Sequence, residues 1–583
     1  MYQEKEMQKV LKQVFGFEQF RPNQKEIIDA VMSGKDCLAV LPTGAGKSLT
    51  FQIPALLKNG VTFVISPLVS LMKDQVDQLR KLGISAAYIN SSLNFVELRR
   101  TLAMTANQKF KLVYIAPERI HTRSFQFVYN HLLKKQSIAL LAVDEAHCLS
   151  HWGHDFRPSY RQIKELRKYN NIPVLAVTAT ATQKVRDDIT RELKFDNKAL
   201  LQIGILDRPN LKYSVKQVLK KENSLIEFLK DKHEKKGIIF CSTRKSVEIV
   251  YSLCRKFNPN VGSYHGGLSD SDRKRVQENF CKNNLKWIIA TNAFGMGVNL
   301  PDLRFVLHFE MPGSMEQYIQ ETGRAGRDGK KAECLMLYSL SDRKIHEFFI
   351  ANSQPDSFVT QHLMDFFNRQ EYPLDLTDQE LRDNLSSISE KLEGRKLLRY
   401  LQLLEDLSMI SWVTKGNIKS YSLNDKFDLS KLPLGILDNN TNEAKRKLDL
   451  MEGFCLQSTC LRASLQHYFQ TNPTICGNCS HCLDEHQIRI DSAGPVAQEI
   501  YAALKTHPMR YGISTIAELL CGGRSQALFD RNLHGCDHYG VLSDYSQIEI
   551  KEFITKLVHK GAISRSNDDF PKIGLPKIRN QLI

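Results

Sequence analysis

This 583-residue chain predicts an α/β fold with two doubly wound, parallel-sheet lobes, followed by mainly helical modules. Two observations predict the lobes. Short apolar runs rich in β-branched residues alternate with polar helical stretches, and the alternation occurs twice. The runs are continuous rather than alternating, which fits strands buried on both faces of a parallel sheet. A third observation marks the change of architecture: the β signal fades from about Ser341.

In the first lobe the predicted strands are Cys37–Leu41, Val61–Ser66, Lys111–Ala116, Ile138–Val143 and Val174–Thr178. In the second they are Gly237–Cys241, Trp287–Thr291, Phe305–Phe309 and Glu333–Tyr338. The joint falls near Leu206–Asn210, where LDRPN supplies a Pro-containing turn. Beyond it, Leu397, Leu398, Leu401, Leu404 and Leu407 have helical spacing, and Ser411–Leu423 reads as a hairpin around Lys-Gly-Asn. Val496–Leu504 and Ile548–His559 read as amphipathic helices. The expected domains are 1–206, 207–345, 346–485 with a winged-helix-like insertion near 372–425, and 486–583.

Composition narrows the function. Lys plus Arg number 80 against 64 Asp plus Glu, a formal +16 that suits a polyanionic partner such as nucleic acid. Apolar runs stay short of 18 residues, which speaks against a transmembrane helix and a membrane partner. The first residues lack the apolar stretch of a signal peptide, so a cytoplasmic location is expected.

Leu41-Pro-Thr-Gly-Ala-Gly-Lys-Ser48 lies between a predicted strand and a helix. The N–H groups of such a loop can cradle a triphosphate, with Lys47 on the β and γ phosphates and Ser48 on magnesium. Leu41 stands where the strict pattern has Gly or Ala. Asp144-Glu145-Ala146-His147 closes the run IALLAV, at a strand end where α/β sheets bind ligands. Asp144 can hold magnesium there and Glu145 can orient or deprotonate water. Together these segments point to ATP hydrolysis. In Gln320–Asp328, Arg324 and Arg327 share one face of a helical turn, and Arg327 can act as an arginine finger if the lobes face each other.

Cys460, Cys476, Cys479 and Cys482 have the spacing C-x15-C-x2-C-x2-C, which fits a structural zinc site. The last three form a knuckle, and Cys460 sits in a helical stretch expected over Glu452–Phe469. Cys455 is a rival fourth ligand, although five residues along one helix turn it about 140° away. His481 is a second rival, expected to point to solvent.

With Val177–Thr180 added, the phosphate loop, Asp144–His147 and QETGRAGRDG resemble superfamily 2 helicases. Phe17–Gln24, DEAHCLSHWGHDFRPSY (Asp144–Tyr160) and Ala293–Val298 resemble elements of the RecQ branch, the aromatic-rich loop most specifically. The resemblance implies two RecA-like lobes, a helical zinc-binding module and a C-terminal winged helix; the further accessory domain of many RecQ proteins is expected to be absent. It implies an ATP-dependent helicase moving 3′ to 5′ on single-stranded DNA, in repair, recombination, replication and the SOS response. An RNA helicase or a non-unwinding translocase is the alternative.

Carried over by position, Arg21 and Gln24 would contact adenine with Phe17 packing nearby, and Thr43, Gly44, Gly46, Lys47 and Ser48 would bind ATP. Gln320 would join Lys47, Asp144, Glu145, Arg324 and Arg327 in catalysis. Trp152, His154, Phe156 and Arg157 would couple DNA to the ATP site, since aromatics and Arg stack on bases without reading sequence. The RecQ zinc arrangement favours Cys460 as fourth ligand, although only Arg462 remains of two arginines common after it. A wing near Ser564–Ile573, with Phe570, could separate strands. Expected partners are single-stranded, branched and duplex DNA and a single-stranded DNA-binding protein, with the chain a monomer near the nucleoid. His151 stands where Gln is common, Leu300 where Lys is common, and Met311-Pro-Gly-Ser replaces a Pro-Arg-Asn segment, all of which bear on DNA affinity and stepping.

Overall fold

The structure is a computed structural model. It describes residues 2–575 apart from 151–157, 168–171, 205–206, 219, 295–299, 354–356, 386, 388–391, 393–395, 407–408, 416–417, 424–433, 458, 472, 484–494, 544, 560–561 and 567–570. The expected contacts of Trp152, His154, Phe156, Arg157 and Phe570 lie outside the described residues, as do His151, Leu206, Leu407 and most of Ala293–Val298.

The first lobe is a seven-stranded parallel sheet. Its strands are β1 (Cys37–Val40), β2 (Val61–Ile65), β3 (Ala86–Ile89), β4 (Leu112–Ile115), β5 (Ile138–Val143), β6 (Val174–Thr178) and β7 (Leu200–Ile203), in the order β3-β4-β2-β5-β6-β1-β7. Because β6 lies between β1 and β5, the loops leaving those two strands open side by side at the sheet's carboxyl edge. Buried residues on the two faces form separate apolar cores, one around Phe63, Phe125 and Leu141, the other around Phe51, Val64 and Leu175.

The second lobe repeats the plan with β8 (Leu211–Gln217), β9 (Gly237–Phe240), β10 (Val261–Tyr264), β11 (Trp287–Ala290), β12 (Phe305–His308) and β13 (Ala332–Tyr338). Their order is β10-β11-β9-β12-β13-β8, all parallel. The helix Ser341–Ser353 runs across the joint expected at 345. Leu300, where a Lys was the common residue, is buried in this lobe's core.

Residues 357–423 follow the order helix, strand, two helices, two strands. Helices Ser357–Asn368, Asp378–Asn384 and Lys396–Asp406 accompany β14 (Leu374–Thr377), β15 (Ile410–Lys415) and β16 (Ile418–Leu423) in an antiparallel sheet ordered β14-β16-β15. Val359, Leu363 and Phe367 of the first helix join Leu381, Leu401 and Tyr421 in one core, so the unit starts before position 372. Leu397, Leu401 and Leu404 are buried there and Leu398 is exposed.

The expected helix over Glu452–Phe469 is two helices, Leu434–Leu456 and Leu461–Tyr468. Cys460 is the residue before the second, with ψ 118°, outside helical geometry. The break corrects the argument that placed Cys455 on another face of the same helix. Instead, Cys455 is fully buried, its sulfur 3.7 Å from Met336 Sδ in the second lobe. The tail has helices Pro495–Thr506, Ile513–Cys521 and Gln547–His559 and a short antiparallel pair, β17 (Ser564–Arg565) and β18 (Ile573–Gly574), around its own core. Among the described residues no helix is long and apolar enough to cross a membrane.

Candidate active site at the lobe interface

The phosphate loop forms because β1 ends against β6. Leu41 N donates to Thr178 O at 2.9 Å, and the buried Leu41 side chain closes the core beneath. The chain then reverses through Gly44 (φ 86°) and Gly46 (φ 79°), left-handed positions that glycine adopts without a Cβ penalty. The helix Leu49–Leu57 follows directly, so Lys47 and Ser48 stand at its N-terminal end, where backbone N–H groups favour anions.

Phe17, Arg21 and Gln24 line the same cleft. Gln24 is buried; its amide donates to Ala45 O and Gly46 O, both at 3.0 Å, and its Oε1 accepts from Arg21 N at 2.8 Å. The Arg21 guanidinium donates to Gly44 O. These side chains therefore brace the outside of the loop by its carbonyls. Phe17 is 47% exposed, an open apolar face at the rim.

Asp144 follows β5 at the floor of the cleft. Its N–H bonds Ile65 O at 2.9 Å, its Oδ1 accepts from Glu145 N at 3.0 Å, and Tyr160 O–H donates to its carbonyl at 2.9 Å. Burial pushes the Asp144 carboxyl up to about 7; Glu145 adds to the rise and Lys47 opposes it. Glu145 has φ 48°, a left-handed backbone that costs a non-glycine residue about 1–2 kcal/mol. That turn brings the Glu145 carboxylate to 3.3 Å from His147 Nδ1, which also meets Thr178 Oγ1 at 2.8 Å. Asp144 and Ser48, the expected magnesium contacts, both line the cleft. A carboxylate beside a hydroxyl at the end of a phosphate loop is a fitting donor set for that hard cation.

The second lobe supplies the opposite wall. Ser314, in the departing Met311–Ser314 segment, caps the helix Met315–Thr322, accepting from Gln317 N at 3.2 Å. This helix carries Gln320 and delivers the turn with Arg324 and Arg327 into the cleft of about 680 Å³ that Thr43, Gly44, Gly46, Lys47 and Ser48 also line. A Cβ built on Gly44 would sit 3.6 Å from Arg327 Cγ, and one on Gly323 would sit 3.0 Å from Thr43 Cβ. The glycines thus let the lobes touch across the cleft. Burial lowers both guanidinium pKa values. Arg327 is pushed down to about 9 by burial and then by Arg324 and Arg208, with Glu145 opposing.

Arg208 carries no expected role, because the sequence presents it only as part of a turn. In the structure it spans the lobes. Its Nη1 donates to Thr43 O at 3.0 Å and its Nη2 to Ala325 O at 2.8 Å and Gly326 O at 2.7 Å. Basic character in a Pro-containing joint was the available signal, although such turns are usually solvated.

The four cysteines converge elsewhere. All four sulfurs lie within 4.8 Å of one another, with Cys460–Cys476 at 3.5 Å, Cys476–Cys482 at 3.9 Å and Cys460–Cys479 at 4.0 Å. Tetrahedral zinc with Zn–S of about 2.3 Å needs sulfurs about 3.8 Å apart, so this set fits the ion. Gly477 (φ 61°) turns the knuckle, while His481 Nδ1 lies 3.0 Å from Thr459 O. The module packs on the second lobe: Phe454, Leu461, Leu465 and Cys479 share a core with Tyr213, Tyr318 and Met336.

Four family models match in chain order: DEAD/DEAH box helicase over residues 21–189, helicase conserved C-terminal domain over 220–329, RecQ zinc-binding over 424–483 and RQC domain over 494–578. The chain is 34% identical to the ATP-dependent DNA helicase RecQ of Pasteurella multocida, over 96% of this chain and 75% of that protein. It is 33% identical to the ATP-dependent DNA helicase RecQ of Bacillus subtilis, over 97% of this chain and 81% of that one. The ATP-dependent DNA helicase Q-like 4B of Arabidopsis thaliana is 44% identical over 57% of this chain and 29% of its own length.

Proposed function

The chain belongs to the RecQ family of ATP-dependent DNA helicases, and from that premise we propose that it moves 3′ to 5′ along single-stranded DNA, coupling lobe closure to ATP hydrolysis and unwinding duplexes in repair and recombination. One observation carries the reading. Lys47, Arg324 and Arg327 line a single cleft with Glu145, so three cations face one water-activating carboxylate at the carboxyl edge of the first sheet. Cations crowded into a desolvated site, two of them with depressed pKa values, are stabilised by a polyanion such as triphosphate.

The roles follow from the walls. Lys47 and the loop N–H groups bind the β and γ phosphates. Glu145, held by its turn beside His147, orients water in line with the γ-phosphoryl group. Arg327, with Arg324 beside it, meets the charge that develops in the transition state, a contribution of roughly 10³–10⁵ in rate for arginine fingers. Magnesium, held by Asp144 and Ser48, would neutralise phosphate charge. Gln320 lies on the helix entering that turn and lines the cleft. Hydrolysis removes the anion that holds the two walls together, and the lobes relax apart. Trp152, His154, Phe156 and Arg157 are proposed to read DNA occupancy into this cycle. Zinc on the four cysteines is proposed to be structural, and the basic excess supports a DNA backbone as track.

The test is ATP hydrolysis with magnesium, with and without single-stranded DNA, alongside Glu145→Gln, followed by unwinding of duplexes with 3′ or 5′ tails. Strong stimulation lost in the variant, with preference for the 3′ tail, supports the proposal. Preference for the 5′ tail would overturn the direction, and stimulation by RNA in place of DNA would overturn the track.

A further inference from the structure

The joint between the lobes is held from two sides. Arg208 reaches forward from it, with Nη1 on Thr43 O of the phosphate loop and Nη2 on Ala325 O and Gly326 O of the arginine turn. Nη1 also reaches Gly323 O at 3.4 Å, so the guanidinium bonds both walls of the ATP cleft. Gly44 lies directly beneath, since a Cβ there would come within 3.5 Å of Arg208 Nη1. Arg462 reaches the same joint from behind. It follows Cys460 by two residues, is 6% exposed, and its Nη2 donates to Leu211 O at 2.9 Å and Arg208 O at 3.3 Å, with Nη1 3.5 Å from Asp207 Oδ1. The backbone that carries Arg208 is therefore gripped by a side chain anchored at the cysteine cluster.

We infer that Arg208 is a positioning residue for ATP hydrolysis, registering the Arg324–Arg327 turn on the phosphate loop, and that Arg462 transmits the cysteine module's integrity to it by fixing the joint. The inference rests on the ATPase reading above. Its physical basis is geometric. A planar guanidinium holds donors on two nitrogens in a fixed fork, here on four carbonyls of the two walls, whereas a lysine ammonium is a point charge on a flexible stem without the second nitrogen. Arg208 bonds the loop by a carbonyl, leaving the N–H groups of the cradle for phosphate. It is expected to act on the rate of the chemical step more than on nucleotide binding.

The experiment compares Arg208→Ala, Arg208→Lys, Arg462→Ala and the Arg208→Ala/Arg462→Ala double variant with the full-length protein. Readouts are kcat and KM for ATP with single-stranded DNA, zinc content and the thermal transition. Expected for Arg208→Ala is at least a tenfold fall in kcat with KM within about threefold, normal zinc and a near-normal transition. Arg208→Lys should restore little, because charge without the fork and its second nitrogen does not hold Ala325 O and Gly326 O together with Thr43 O. Arg462→Ala should keep its zinc and lose kcat in the same direction, and the double variant should be no worse than Arg208→Ala alone. A kcat within twofold of wild type for Arg208→Ala, full rescue by Lys, or a rise in KM with kcat intact would each overturn the positioning role. Additive losses in the double variant would overturn the link to Arg462. If Arg208→Ala fails to fold, Arg208→Gln, which is shorter, uncharged and has one donor nitrogen, takes its place with the same expectation. Wild-type protein that hydrolyses ATP without DNA stimulation would refute the helicase reading, and the variants are then compared on the unstimulated rate.

Discussion

Phe454 is the place to ask whether the cysteine module is an appendage or part of the motor. The ring is 3% exposed and lies 5.4 Å, centroid to centroid, from Tyr318, on the helix that leads into Arg324. A buried aromatic removes about 200 Å² from water, worth up to about 5 kcal/mol at about 25 cal/mol per Å². Phe→Ala changes in cores cost about 3–5 kcal/mol, so about 4 kcal/mol is expected for Phe454→Ala. With a urea m-value of about 2.5 kcal/mol/M for a unit of this size, the midpoint should fall by about 1.6 M. Two probes report on the two halves of the shared core: metal release into a chromogenic chelator, and the fluorescence of Trp287, fully buried in the second lobe, with Trp152 and Trp412 replaced by Phe. One core predicts one transition, so both signals should move together and by the same amount. Metal release well before the Trp287 transition, or a variant that shifts one signal alone, would refute the reasoning.

Asp342→Ala should cost about 3–5 kcal/mol by urea denaturation, because Lys221 Nζ lies 2.5 Å from Asp342 Oδ1 in a buried pair and Met311 N donates to Oδ2 at 2.9 Å. Asp342→Leu, no less apolar, should not recover the loss while Lys221 remains; a loss under 1 kcal/mol in either variant would contradict the burial argument. Replacing residues 357–423 with a flexible Gly/Ser linker should leave zinc content and basal ATPase intact, since among the described residues their core draws on that segment alone. Loss of zinc on excision would make the segment part of the motor's framework.

Which strands could be read from the sequence follows from where they lie. The predicted ones, such as Val61–Ser66 and Trp287–Thr291, are internal, buried on both faces and continuously apolar. β3, β7, β8 and β10, which are not among the predicted strands, are the four edge strands of the two sheets. Leu211–Gln217 has polar residues at Lys212, Ser214, Lys216 and Gln217, Leu200–Ile203 is mostly half-exposed, and Val261–Tyr264 includes Gly262 and Ser263. An edge strand pairs on one side only, so small and polar residues are tolerated there and the rule that identified the others applies less strictly.

The same logic separates the legible from the hidden parts of the site. Asp144, Glu145 and the phosphate loop sit at strand ends within one lobe, where chemistry is written in consecutive residues. The break before Cys460 was hidden because helical periodicity continues across it, while the geometry at ψ 118° is imposed by packing the cysteines together. Arg208 was hidden for a different reason. Its bonds to Thr43, Ala325 and Gly326 join segments about 120 to 165 residues away in sequence, and these distant acceptors are backbone carbonyls. A carbonyl has no residue identity, so no side-chain pattern elsewhere in the chain announces the partner. Contacts of that kind emerge only when two lobes close, which is also when a motor must set its rate.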